Sequence, residues 1–109
     1  MRMPIRNCKD KRTADFMAGK RIKEFQAFER QAAKALTKLQ AATRLIDLRH
    51  PPSNRFEALS GNRNDYYSIR INDQWRVCFG WAVTGEMPKN TDRLLLPGDS
   101  YDVEIIDYH

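Results

Sequence analysis

The stretch "VEIIDYH" is an apolar, β-branched run that stops on Asp107, Tyr108 and His109. By itself it reads either as a surface tail that merely ends on histidine or as a strand delivering three polar groups to one place. Imidazole is the side chain whose ordinary pKa lies nearest neutrality, which suits His109 to proton transfer. Glu57, Arg63 and Arg76 fall on or beside other strand-like stretches, with Ser68 and Arg70 as neighbours. An acid, a base, a cation and an aromatic ring are what RNA cleavage requires. The ribose 2′-OH must lose a proton and attack phosphorus, the departing 5′-oxygen must gain one, and charge builds on the phosphoryl oxygens. Positioned proton transfer is worth about 10²–10⁴-fold. A cation aimed at the developing charge adds a comparable factor, and an aromatic ring can stack a splayed base.

Other chemistries lack their signatures. No serine sits in a recognisable nucleophile elbow, and no CxxC or HExxH spacing points to a metal. No glycine-rich phosphate loop follows a strand, so the expectation is acid–base chemistry without metal or cofactor. Cys8 and Cys78 read as small buried hydrophobes. His50 reads as a loop residue, and Trp75 and Trp81 as core.

The elements that must position these groups follow from periodicity. A chain of 109 residues reads as one domain, 1–109. Met3–Cys8 suggests a short strand. "DKRTADFMAG" reads as a short helix capped by Asp10 and ended by Gly19. From Lys23 to Ala42, Phe25, Phe28, Ala32, Leu36 and Leu39 recur in steps of three and four, which predicts one continuous amphipathic helix. On another face Arg30, Lys34 and Lys38 form a positive row. Pro51-Pro52 ends the helical half.

Beyond it the period becomes two. Strands are expected at Phe56–Leu59, Tyr66–Ile71, Gln74–Trp81 and from Ser100 onward, with Ser60–Asp65 and Asn72–Asp73 as turns. Trp75, Val77, Phe79 and Trp81 would pack on the helices, together with Tyr101, Val103 and Ile105 of the last strand. Arg76 would then lie on a more open surface. The 19 residues 82–100 make an unusually long connection carrying Leu94-Leu95-Leu96. They read as an insertion with a satellite cluster or as a docking surface. The result is an α+β domain, with N-terminal helices on one face of a small antiparallel sheet.

Charge agrees with a polyanionic partner. Residues 1–50 hold 13 Lys/Arg against 5 Asp/Glu, while 51–109 hold 6 against 9. Phosphate contacts are expected from Arg30, Lys34, Lys38, Arg55, Arg63 and Arg70. No stretch reaches the ~18 apolar residues of a membrane span. The first residues carry no apolar signal region, so the cytoplasm is the expected location.

Taken together, "LSGNRNDYYSIRINDQWRVCF" and "VEIIDYH" resemble the HigB branch of the RelE/ParE toxin superfamily, and within it the plasmid maintenance system killer type represented by GraT. The resemblance runs from about residue 22 onward, apart from 82–100. It implies a microbial-RNase-like α+β fold and ribosome-dependent cleavage of mRNA as one half of a type II toxin–antitoxin pair. The implied partners are the 70S ribosome with its mRNA and a helix-turn-helix antitoxin of the HigA or GraA kind. Operator DNA would be reached only through the antitoxin.

Residue by residue, Asp107, Tyr108 and His109 match the family's terminal catalytic triplet, Arg76 its "W-R" arginine, and Gly61 and Arg63 its turn. The resemblance then makes His109 the general acid, with its own carboxylate favouring the imidazolium. Tyr108 stacks on or hydrogen-bonds the substrate. Glu57 or Asp107 acts as base or orients the imidazole, and Arg76 steadies the phosphorane. Two positions depart: Glu57 stands where many HigB toxins have histidine, and Ser60 where they have lysine. Weaker cleavage is expected unless Arg55 or Arg63 compensates. Two alternatives stay open, a ParE-like gyrase inhibitor and a weakly catalytic toxin acting mainly as its antitoxin's co-repressor.

Overall fold

A computed structural model describes residues 5–59, 65–86 and 90–107. Helix α1 (Lys11–Met17) and helix α2 (Glu29–Ala41) precede a four-stranded antiparallel sheet. The strands are β1 (Glu57–Ala58), β2 (Tyr66–Arg70), β3 (Trp75–Val83) and β4 (Gly98–Asp107), and their spatial order is the chain order. The α+β architecture with helices on one face is therefore the one the patterning anticipates. Among the described residues no helix is long and apolar enough to cross a membrane.

The apolar stripe of the helical half is buried as its spacing requires, with Phe25, Phe28, Ala32, Leu36 and Leu39 all in the core. The expected single helix over 23–42 is nevertheless two elements. Lys23–Phe28 is a 3₁₀ turn, and α2 begins only at Glu29, after Phe28 at φ −135°. A 3₁₀ turn eclipses positions i and i+3, which puts both phenylalanines against Trp75. Their ring centroids lie 5.7 Å and 5.0 Å from it. This aromatic cluster outweighs helix propagation through a segment of modest propensity.

Helix α1 starts after Asp10, but the Asp10 side chain makes no capping bond, contrary to expectation. The helix is secured instead by Thr13, which is buried and whose Oγ1 accepts from Ile105 N–H at 3.0 Å. Gly19 closes it at φ +92°, the left-handed conformation glycine adopts without strain.

On the sheet's inner face Ile69, Val77, Phe79, Trp81, Val103 and Ile105 pack against the helices. Tyr101 does not join them. The β3–β4 register runs Val77↔Ile105 and Cys78↔Glu104, then shifts by one residue to Gly80↔Tyr101. The bulge carries Asp102 at φ +49° and turns Tyr101 onto the opposite face, beside Gly80. A bulge re-aims side chains in this way because it breaks strict alternation.

Both sheet edges are limited. β1 is two residues long, and the outer edge of β4 is lined by residues 5–9. Ile5 bridges Ser100 and Cys8 bridges Val103 in parallel, so the described part of the expected Met3–Cys8 strand pairs through isolated bridges, while Met3 and Pro4 lie outside the described residues. Arg6 N–H donates to Ser100 O at 2.8 Å, and Val103 N–H to Asn7 O at 3.1 Å.

The connection between β3 and β4 spans 84–97, shorter than expected because both strands extend into it. Its leucines form no exposed patch. Leu96 is buried and Leu94 packs against the core, leaving only Leu95, 43% exposed, at the surface. Arg93 fastens the segment by donating to Trp81 O at 2.6 Å.

Candidate functional site

The outer face of the sheet is built by alternation. Register places Glu57 of β1 opposite Ser68 of β2, Ser68 opposite Cys78 of β3, and Cys78 opposite Glu104 of β4. The next row toward one end is Arg70 opposite Arg76, with Ile106 beyond; the row toward the other end is Tyr66, Gly80 and Tyr101. One face thus carries a cationic end, a central row with Glu57 at its margin, and an aromatic end.

Arg76 is less open than the alternation suggests: only 8% of it is exposed. Its Nε donates to Ser68 Oγ at 2.8 Å, and its Nη2 donates to Ser68 O at 3.4 Å and to the carbonyl of Arg55. Arg55 can present that carbonyl because it closes the Pro52–Asn54 turn in a left-handed conformation, φ 45°. These oxygens fix the guanidinium in place. Ser68 is itself fully buried and is the shared neighbour of Arg76 and the exposed Glu57. Like charges directly opposite one another destabilise a sheet, yet Arg70 faces Arg76. Asp73 partly offsets the pair through its ion pair with Arg70.

The helical basic row divides. Lys34 and Lys38 meet Arg70, Ser53 and Asn54 around a concavity of about 140 Å³ at the end of β2. Arg30 points elsewhere, to a depression shared with Phe16, Lys20 and Arg21 between the two helices. Lys38 is braced rather than solvated, donating to Asn54 Oδ1 at 2.6 Å. Buried Asn54 in turn donates to the carbonyls of Leu48 (3.1 Å) and His50 (3.2 Å). Burial, with Lys34 nearby, lowers the Lys38 pKa.

Asp107 lies opposite Trp75 in the β3–β4 register, so alternation sets it on the helix side of the sheet, at the strand's end. It does not share the face of Arg76 and Glu57, contrary to expectation, and its Oδ2 accepts from Gln74 Nε2 at 2.9 Å. Arg55 is exposed on the turn before β1. Ser60, Gly61, Arg63, Tyr108 and His109 lie outside the described residues.

Sequence reasoning missed Ser53 and Asn54, which sit in a turn without periodicity, and the placement of Tyr101, which depends on a bulge. It also missed a cluster at the aromatic end. Tyr66 donates its hydroxyl to Asp102 Oδ2 at 2.7 Å, and Asn7 Nδ2 donates to Asp102 Oδ1 at 2.9 Å. The hydrogen bond to a carboxylate pushes the Tyr66 phenol up to about 12, and the same bond with that of Asn7 holds Asp102 below the usual carboxylate range.

Residues 8–92 match the profile of HigB-like toxins, described as the RelE-like toxin of the type II toxin–antitoxin system HigB. The chain belongs to this family. Among curated relatives, Toxin HigB-1 of Vibrio cholerae is 46% identical over 56 residues, covering 51% of this chain and 59% of that protein. An uncharacterized Haemophilus influenzae protein is 40% identical over 47 residues, covering 43% of this chain and 46% of its own length. The chain therefore spans about half the length of the relatives it matches. The profile covers α1, α2 and β1 to β3, so the arginine end of the outer sheet face lies within the matched region.

Proposed function

We propose that this toxin is an endoribonuclease that cleaves mRNA on the ribosome, with the ribose 2′-OH as nucleophile. The observation that carries the reading is the Arg76 guanidinium, held on the outer sheet face by Ser68 and the Arg55 carbonyl. A cation fixed before the reaction stabilises the charge gathering on a phosphorane without reorganising at that moment. Arg70, Lys34 and Lys38 continue the positive surface around the end of β2 and would carry the flanking phosphates, with Arg30, Arg55 and Arg63 as further contacts. His109 serves as general acid, protonating the departing 5′-oxygen, and Tyr108 holds the base beside it. Glu57, on the margin of the same face, takes the 2′-OH proton. Asp107 acts from the strand end, orienting the imidazole rather than touching substrate.

The cognate partner in this reading is a helix-turn-helix antitoxin, which alone contacts operator DNA. The toxin works in the cytoplasm, where ribosomes are. The decisive experiment is primer extension on a reporter mRNA after induction without antitoxin. Wild type should give discrete cleavage ends, and His109→Gln should abolish them. Cleavage by His109→Gln at near wild-type rate would refute the assignment. Supercoiling assays with purified toxin test the rival reading, gyrase inhibition, and should show no effect.

A further inference from the structure

The end of the outer face remote from the arginines has an arrangement that cleavage chemistry does not use. The bulge opposite Cys78 and Gly80 turns Tyr101 out of the core. Gly80 leaves the space it needs: a Cβ there would stand 2.3 Å from Tyr101 Cζ and within 2.7 Å of both Cε atoms. Tyr66 meets the Tyr101 ring edge-on at 5.7 Å between centroids, and Asp102 fixes the Tyr66 hydroxyl. Both rings are partly exposed. A glycine, a bulge residue in the left-handed region and a carboxylate–phenol bond thus combine to hold one aromatic ring flat over the sheet.

We propose that Tyr101, seated over Gly80 and braced by Tyr66, is a stacking platform for an unpaired nucleobase of single-stranded RNA. This rests on the reading that the toxin acts on RNA. Charge segregation along the face favours such an occupant. Asp102, which already accepts from Tyr66 and Asn7, and Glu104, which pairs with Lys9 at 3.7 Å, place carboxylate acceptors for a base edge beside the platform, whereas Arg70 and Arg76 at the other end attract phosphate. Four residue steps along β3 separate Gly80 from Arg76, about 13 Å at the strand rise, within reach of a short single-stranded segment. A base stacked here would fix the register of the strand crossing the arginines, and stacking tolerates any base because each has a π-face.

The test titrates the purified toxin into a single-stranded RNA oligonucleotide carrying 2-aminopurine, whose fluorescence falls when it stacks. Thermal melts of each variant run in parallel. Wild type and Tyr101→Phe should quench, and Tyr101→Leu should bind about tenfold more weakly or lose quenching while melting near wild type. Gly80→Ala, which lifts the ring, should reproduce the loss. Undiminished quenching by Tyr101→Leu, or none by wild type, would overturn the platform. So would a Tyr101→Leu toxin that quenches normally but no longer retains its antitoxin, since the ring would then contact protein. Quenching by a wild type that cuts no mRNA would overturn the cleavage reading alone. Normal cleavage with unchanged Tyr101→Leu quenching would overturn the platform alone.

Discussion

At the residue scale, Arg76 and Asn54 show how neutral oxygens position cations in this molecule. Arg76→Ala should lower the rate of ribosome-bound mRNA cleavage about 10²–10³-fold, by the loss of one preorganised charge-stabilising group. Single-turnover cleavage kinetics would read it, and an undiminished rate would remove Arg76 from the mechanism. Asn54→Ala makes a different prediction, because it strips the Leu48 and His50 carbonyls and the Lys38 ammonium of their partner at once. It should destabilise the fold by about 1–3 kcal/mol, visible in urea unfolding. Much at this scale was legible in the sequence. The placement of Glu57, Ser68, Arg70 and Arg76 on one face of the sheet could be read from alternation. What could not be read is which oxygens would hold Arg76, since the Arg55 carbonyl is presented by a left-handed backbone that no periodicity encodes.

At the element scale, departures from regularity do most of the positioning. Alternation predicted that Tyr101 would face the helices with Val103 and Ile105, and it failed because one bulge reverses parity on β4. The apolar steps of the helical half correctly marked its buried stripe, yet they could not separate a 3₁₀ turn from an α-helix, since both bring i and i+3 together. The bulge also makes a pH-sensitive joint. The Tyr66 phenol is raised to about 12 in the fold against ~10 unfolded, so its bond to Asp102 stabilises the fold fully below pH 10. That contribution falls away as pH rises through 12. The lowered Asp102 contributes in the opposite window, present above its unfolded value near ~3.9 and lost as pH falls through the folded one. Melting temperatures of wild type and Tyr66→Phe should therefore differ at pH 7 and converge near pH 12. A constant gap across that range would contradict the linkage. Thr13→Val tests the other joint, between α1 and β4. It leaves the buried Ile105 N–H without its acceptor and should cost about 1–3 kcal/mol.

At the scale of the whole molecule, charge is organised by where the two halves meet. The basic N-terminal half supplies Lys34 and Lys38, the less charged sheet half supplies Arg70, and the concavity between them joins the two. Binding to RNA should weaken steeply with salt, and Lys34→Glu with Arg70→Glu should flatten that dependence while lowering affinity, as measured by fluorescence anisotropy at several salt concentrations. Equal slopes for both proteins would argue against phosphate contact there. The pairing of residues 5–9 with β4 has a further consequence, in time rather than in space. Ile5 must find Ser100 and Asn7 must find Val103, across more than ninety residues of intervening chain. Contacts so distant in sequence form late, because loop closure has to precede any gain from them. During synthesis at roughly 5–20 residues per second, α1 stays without the strand that secures it until β4 has left the ribosome tunnel. The interval before closure is one in which the completed fold does not yet exist.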